Sequence, residues 1–362
     1  MALPRPRPLL LRDADTGLLS VDDAEVLEPL IAEQRRMKAA IAGMTARPLR
    51  LDNACVLYSF GNGLPDNPVA ATYRGARNFG FAFTETTRFP ADAVNRLGWL
   101  DGMIAGSAWN RDVLSKLGFR NVRLVHQGVE DRLFRPGPKS GRFADRFVVF
   151  SGGKLEFRKG QDLVLTAFRR FQARFPDALL IAMWGNPWPE TERTLAESRR
   201  VNGLPDPGDP PETRLANWVA RQGITPGAFL DLGYLPNPDV AAVLRDCDVA
   251  LFPNRAEGGT NLVAMEAMAC GVPTVLAANT GQLDLIGDDR CYALRRQTPV
   301  ADPMGERADW GESDVDEIVA TLETVRGDPA GARRHGDAGA RFMAGLSWRQ
   351  QTRRLLETLG GG

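Results

Sequence analysis

The 362-residue chain is 43% hydrophobic and 25% charged, with 45 Lys and Arg against 45 Asp and Glu; this is the balance of a globular protein with enough chain for two cores, and it excludes a disordered or collagen-like polymer. The first 140 residues carry a small excess of cations and the remainder an equal excess of anions, an asymmetry too slight for a nucleic-acid surface. The four cysteines (Cys55, Cys247, Cys270, Cys291) lie far apart without metal spacing, the opening MALPRPRPLLL has too short an apolar run for a signal peptide, and no stretch approaches the roughly 20 apolar residues of a membrane span, so the expectation is a reduced, cytoplasmic protein, at most peripheral to the inner face of a membrane.

In chain order, residues 1–19 read as an irregular, Pro-interrupted arm. Ser20 and Asp23 have the spacing of a capping box, and Leu27, Leu30, Ile31, Met37, Ile41 and Met44 then draw one face of a helix, with Pro29 as a kink. Between Gln34 and Arg50 stand five basic side chains and no acid; the stretch 30–50 is either a solvated face or a contact to an anionic membrane. Strands are predicted at Cys55–Phe60, running into Gly61-Asn62-Gly63, at Phe79–Phe83, at Asp101–Ser107 and at Val122–Gln127. This ladder suits a Rossmann-like half. The Pro, Gly, Lys and Ser of residues 136–142 read as a linker.

The second half opens on a strand, Phe147–Phe150, followed by SGGKLEFRKG and an amphipathic helix marked by Leu163, Val164, Ala167, Phe168 and Phe171. Lys154 and Lys159 beside that helix N-terminus would neutralise a diphosphate. Ala178–Met183 is a strand ending at Trp184-Gly185-Asn186, residues 187–212 read as a surface excursion, and Phe229–Leu235, which includes Tyr234, is a further strand before a helix from Asn237. The most informative stretch is DVALFPNRAEGGTNLVAMEAMACGVPTVLAA, from Asp248 to Ala278. Val249–Phe252 reads as a buried strand, Asn254–Thr260 as a glycine-containing loop, and Thr260 or Asn261 as the cap of a helix holding Leu262, Val263, Met265 and Ala269, with another strand beyond Pro273. Loop amides leading into a helix N-terminus receive an anion, usually phosphate. Glu266 is the single charge on that helix; it either accepts from a neighbouring backbone or Arg, or serves a ribose diol, whose hydroxyls donate to a carboxylate. Asp246-Cys247-Asp248 spells D-x-D but precedes its strand, at the opposite sheet edge, so no metal role is expected. Helices over 314–325 and 330–342 and a last one opened by Ser347-Trp348 complete the chain.

Taken together these motifs resemble the retaining GT-B glycosyltransferases of family 4, the glycosyl-transferase group 1 domain, over about residues 78–358. The resemblance rests on Glu266 to Pro273 as E-A-M-A-x-G-x-P, on Lys154 and Lys159 as a G-R-x-x-x-x-K-G element with Lys in place of Arg, on the NTGQLD turn after the following strand, and on Glu85, Pro90, Asp101, Ser107, His126, Gly128, Val129, Glu130, Phe134 and Pro136 at the end of the first domain. It implies an α/β fold of two Rossmann-like domains whose parallel sheets face each other across a cleft: an acceptor-side domain at 1–140, a nucleotide-sugar domain at 141–345, and a C-terminal helix at 346–362 returning to the first. It further implies catalytic roles for Glu257 and Glu85, and donor contacts from Lys154, Lys159, Gly185, Tyr234, Gly258, Gly259, Thr260, Asn261, Leu262 and Glu266. The donor would be a nucleoside-diphosphate sugar, the acceptor a saccharide or lipid-linked hydroxyl, with no metal or other cofactor and no nucleic acid. Eight residues separate Glu257 from Glu266 where the usual pattern has seven. The alternatives are a nucleotide-sugar epimerase or a phosphorylase on the same fold, and a non-catalytic nucleotide- or carbohydrate-binding module.

Overall fold

The computed structural model describes residues 10–11, 21–44 and 48–360; the arm expected over 1–19, apart from residues 10 and 11, and the Ser20–Asp23 cap lie outside the described residues and side chains. A helix spans Val21–Ile41 with Pro29 inside it. Two of its basic side chains are locally paired, Arg35 with Glu28 and Arg36 with Glu33.

The first sheet contains β1 (Leu49–Phe60), β2 (Tyr73–Ala82), β3 (Gly102–Ala105) and β4 (Val122–Leu124), all parallel and in sequence order. β1 alternates as a half-buried strand must: Val56, Tyr58 and Phe60 enter the core while Cys55, Leu57 and Ser59 face outward. The second sheet contains β5 (Phe147–Gly152), β6 (Ala178–Met183), β7 (Phe229–Asp231), β8 (Val249–Phe252), β9 (Thr274–Ala277) and β10 (Tyr292–Leu294) in the order β10-β9-β8-β5-β6-β7, again all parallel. Its strands are apolar without alternation because helices cover both faces; Val149 points into one core and Val148 and Phe150 into the other. From β5 the chain winds one way through β6 and β7, then returns to β8 on the other side of β5. The crevice between the carboxyl ends of β5 and β8 is therefore the topological switch point, where ligands bind in open α/β sheets.

The last helix, Trp348–Gly360, crosses back to the first sheet. Val129 N–H donates to the Leu346 carbonyl and Trp348 N–H to the Val129 carbonyl, and Leu355 and Leu359 pack on Phe79, Ile104 and Val125. β1 and β2 begin at Leu49 and Tyr73, six residues before the strands expected at Cys55 and Phe79, and two further features go beyond the sequence reading. Residues 187–212 form a surface excursion, as expected, but an ordered one: a short helix, Pro189–Glu192, and a 3-10 turn, Arg193–Glu197, bury Leu195 in the core. The Pro- and acid-rich composition hides this because the charges are consumed locally, as in the Glu192–Arg214 ion pair. Beyond β10 lies an antiparallel hairpin of β11 (Gln297–Pro299) and β12 (Gly311–Ser313), which no periodicity announces.

Candidate active site

β8 ends at Pro253, and every residue from Leu251 to Asn261 is buried. Such a loop must satisfy its polar groups internally, and Arg255 accounts for much of that. Its guanidinium, fully buried, donates to both carboxylate oxygens of Asp162 (2.8 and 2.7 Å), to Glu312 (3.0 and 2.6 Å) and to the Phe157 carbonyl (2.6 Å). The loop is thereby pinned to the helix Gln161–Arg174 on one side and to the β12 hairpin on the other. Its backbone joins the loop after β5 through Arg255 N–H and the Arg158 carbonyl at 2.7 Å.

That contact brings the cations of FRKG to the glycine loop. Lys159 Nζ lies 2.6 Å from Glu257 Oε1, and Arg158 donates to Glu257 Oε2 at 3.0 Å and to the Ala256 carbonyl at 2.8 Å. Burial alone would raise the Glu257 pKa; the charges of Lys159 and Arg158 outweigh it, and with the Asn254 amide hold the carboxyl at about 2. Arg158 also binds Glu156 and reaches Glu85 Oε1 at 3.5 Å, so one guanidinium gathers three carboxylates from two domains, and they raise its own pKa against the effect of burial. Lys154 stands further out, 3.7 Å from Glu156 and with its ammonium 4.8 Å from the Trp188 ring centroid.

Between Glu257 and Glu266, Asn261 adopts φ +73°, a left-handed conformation that Asn tolerates, and caps the helix Leu262–Ala269 by accepting from Ala264 N–H. Glu266 is half-buried on this helix, and no hydrogen bond or ion pair engages its side chain among the described residues. Burial pushes its carboxyl up to about 7. On the far side of the switch point, Gly185 and the exposed Tyr234 meet after β6 and β7; a Cβ on Gly185 would come 2.7 Å from the tyrosine ring, so a side chain there would displace the ring from its place over the glycine.

The domains touch at this loop. A Cβ on Gly258 would lie 2.7 Å from the Thr84 carbonyl, and the Ser107 hydroxyl donates to the Gly258 carbonyl at 2.8 Å. Ser107 also accepts from Asn110 N–H, capping the helix Ala108–Leu117. His126 Nε2 is 2.8 Å from Asp284 Oδ2, which also accepts from Ala108 N–H at 2.8 Å. The structure thus brings Glu85, Lys159, Gly258, Gly259, Thr260, Asn261 and Glu257 into one cluster, with Leu262 and Glu266 on the helix leading from it. Lys154, Gly185 and Tyr234 belong to neighbouring loops of the same sheet edge. Arg158, Arg255 and Asn254 were not singled out from the sequence; for Arg158 the signal available was its place between Glu156 and Lys159. The D-x-D triplet works at the opposite edge, as its position implied: Asp246 accepts from Ser140, and Asp248 pairs with Lys139 and accepts from Val148 N–H, fastening the linker. Among the described residues no group of three or more His, Cys, Asp or Glu side chains is placed to hold a metal ion.

Two parallel-sheet α/β domains joined in this way, with a terminal helix crossing back, define the GT-B class. Sucrose-phosphate synthase from Thermosynechococcus elongatus shares the fold with a TM-score of 0.61 at 17% identity, over 94% of this chain and 79% of that one. HepE of Anabaena, solved with UDP and glucose, does so with a TM-score of 0.61 at 17% identity, over 79% and 72%. Residues 145–302 match the family described as Glycosyl transferases group 1. Among curated relatives, the D-inositol 3-phosphate glycosyltransferase of Thermobispora bispora is 32% identical over 245 residues, 65% of this chain and 49% of the relative. The GDP-mannose-dependent alpha-(1-6)-phosphatidylinositol monomannoside mannosyltransferase of Mycolicibacterium smegmatis is 26% identical over 249 residues, 65% and 55%. The chain spans about half the length of the curated relatives it matches.

Proposed function

We propose that the protein is a retaining glycosyltransferase that takes a sugar from a nucleoside-diphosphate donor and places it on a saccharide or lipid-linked hydroxyl, in a pathway such as polysaccharide synthesis. The observation that carries this reading is the pairing, at the switch point, of a buried glycine loop opening onto a helix N-terminus with two cations, Lys159 and Arg158, and one unengaged carboxylate, Glu266. The names of two relatives agree with such a donor: one is GDP-mannose-dependent, and HepE was solved with UDP. In this reading Lys154, Lys159, Arg158 and the amides of Gly258, Gly259, Thr260, Asn261 and Leu262 hold the diphosphate. Gly185 and Tyr234 border the nucleotide, and Glu257 and Glu85 act at the sugar. Catalysis is electrostatic stabilisation of the departing diphosphate. No helix among the described residues is long and apolar enough to cross a membrane; a cytoplasmic site of action with peripheral contact through residues 30–50 belongs to the same proposal.

Two expected results test it. Release of nucleoside diphosphate from the donor sugar survives EDTA, because lysine and arginine supply the charge a metal would otherwise bring; activity lost to EDTA and restored by Mg²⁺ or Mn²⁺ contradicts this. Glu266→Gln binds a ribonucleoside diphosphate about 5- to 30-fold more weakly and discriminates less against its 2′-deoxy analogue, since the amide keeps an acceptor but loses the charge. An unchanged ribo-to-deoxy ratio refutes the ribose assignment. The pH dependence has a definite sign. Because the folded carboxyl is raised to about 7 from its ordinary 4.5, the native state holds the proton longer than the unfolded chain, and the stability Glu266 confers falls as pH rises between those values. Hydroxyl donors favour the carboxylate, so ribonucleotide affinity rises more steeply across the same window in the wild type than in the Gln variant, where only the phosphate of the ligand titrates.

A further inference from the structure

The loop at 300–310, between β11 and β12, is built as a rigid finger. The Asp302 carboxylate accepts from the N–H groups of Glu306 (2.7 Å) and Arg307 (2.9 Å). Arg307 pairs with Glu197 and lies over the rings of Trp310 (5.2 Å) and Phe157 (5.7 Å). The finger reaches the first domain at the segment following β2. Trp310 Nε1 donates to the Glu85 carbonyl (2.8 Å), Thr87 N–H to the Glu306 carbonyl (2.9 Å), Ala308 N–H to Thr87 Oγ1 (3.1 Å) and Arg88 to the Met304 carbonyl (2.8 Å). Trp109 Nε1 donates to Asp309 at 3.0 Å.

Residues 83–88 belong to no helix or strand, so the place of Glu85 is set by whatever grips its peptide groups. Its N–H is held by Asn62 Oδ1 (2.6 Å) from within its own domain, and its carbonyl by Trp310 from the other. The same hairpin also holds the glycine loop, through Gly311 N–H to the Arg255 carbonyl (3.0 Å) and Glu312 to the Arg255 guanidinium. One element thus registers both Glu85 and the Glu257 loop, and the separation between those two carboxylates follows from it.

We propose that the loop 300–310 is a clasp between the two domains and that Trp310 within it is a positioning residue, fixing Glu85 over the Arg158–Glu257 pair. This rests on the transferase reading above. The test uses Trp310→Phe, which keeps a ring beneath Arg307 and removes only the N–H donor, alone and combined with Glu85→Ala. Steady-state release of diphosphate from the donor sugar is expected to show kcat lowered about tenfold with donor KM within about twofold, and Trp310→Phe is expected to add no further loss in the Glu85→Ala background. A melting curve accompanies each variant, and Trp310→Phe is expected to melt with the wild type. Unchanged kcat in Trp310→Phe, an equal loss in both backgrounds, or full activity of Glu85→Ala each overturns the positioning role. So does a lower melting temperature with kcat and KM unchanged, which would assign the bond to stability alone. A wild-type protein that releases diphosphate from no donor sugar removes the transferase reading itself, and the clasp's role in it; that outcome is separate from an active wild type matched by Trp310→Phe.

Discussion

Arg255→Ala is expected to lower folding stability by about 3–5 kcal/mol, the range for breaking a buried ion pair and leaving its partners uncompensated. The guanidinium is fully buried and supplies hydrogen bonds to Asp162, Glu312 and the Phe157 carbonyl. Asp162 is itself fully buried and, apart from Arg255, is met by the Ser198 hydroxyl and not by a second cation. Alanine therefore strands a charge inside the second domain at the point where the loop Pro253–Asn261 is attached. Glu312 is less exposed to this loss because Arg200 also binds it. Urea unfolding of wild type and variant measures the difference; a loss under about 1 kcal/mol would mean that the loop is held by its apolar packing instead. The double replacement of Arg255 and Asp162 by apolar residues is expected to recover part of the loss, since no unpaired charge then remains.

Lys159→Ala is expected to weaken nucleoside-diphosphate binding by ten- to hundredfold, the loss of one charge-assisted contact worth about 1.5–3 kcal/mol. Lys159 stands in the turn before the helix Gln161–Arg174, which begins at Gly160 with φ +73°, and a Cβ there would lie 2.5 Å from the Pro253 carbonyl. That close approach carries the lysine to the glycine loop. The variant also has an acid-stability signature. Glu257 is held at about 2 in the folded protein against an ordinary 4.5, so the stability it contributes is present above about 4.5 and is lost as pH falls towards 2. With Lys159 gone, only Arg158 and the Asn254 amide oppose burial, the folded pKa moves up, and the acid transition of the variant begins at a higher pH. Titration with the diphosphate and acid unfolding followed by circular dichroism measure the two effects. Unchanged affinity would remove Lys159 from the donor site whatever the acid curve shows.

Much of the second domain is legible in the sequence because its signals are local. The apolar run Val249–Phe252, the stop at Pro253, the Asn261 cap and the Gly271–Val272–Pro273 exit delimit a strand, a loop and a helix with little ambiguity. The sheet order is not local in this way: right-handed crossovers fix which face each connecting helix covers, while the placing of β8 beside β5, with their carboxyl ends together, is seen only in the fold. Glu266 could be singled out because a lone charge in an apolar helix is conspicuous. The partners of Glu257 could not, since Lys159 and Arg158 lie nearly a hundred positions away, and nothing at Arg255 announces a buried pairing with Asp162. The clasp was equally hidden: residues 300–310 carry no periodicity, and their contacts to residues 85–88 span more than two hundred positions. Tertiary electrostatics of this kind depends on which loops meet, information that local pattern does not hold.

The crevice between β5 and β8 is the place proposed for the diphosphate of a nucleotide sugar. A thermal-shift series with UDP, GDP, ADP and their sugars, run in EDTA on the wild type and on Lys159→Ala, tests it most directly. One nucleoside diphosphate and its sugar are expected to raise the melting temperature of the wild type without added metal, and Lys159→Ala is expected to lose most of that shift. Absence of a shift with every diphosphate, or a shift of equal size in both proteins, would contradict it.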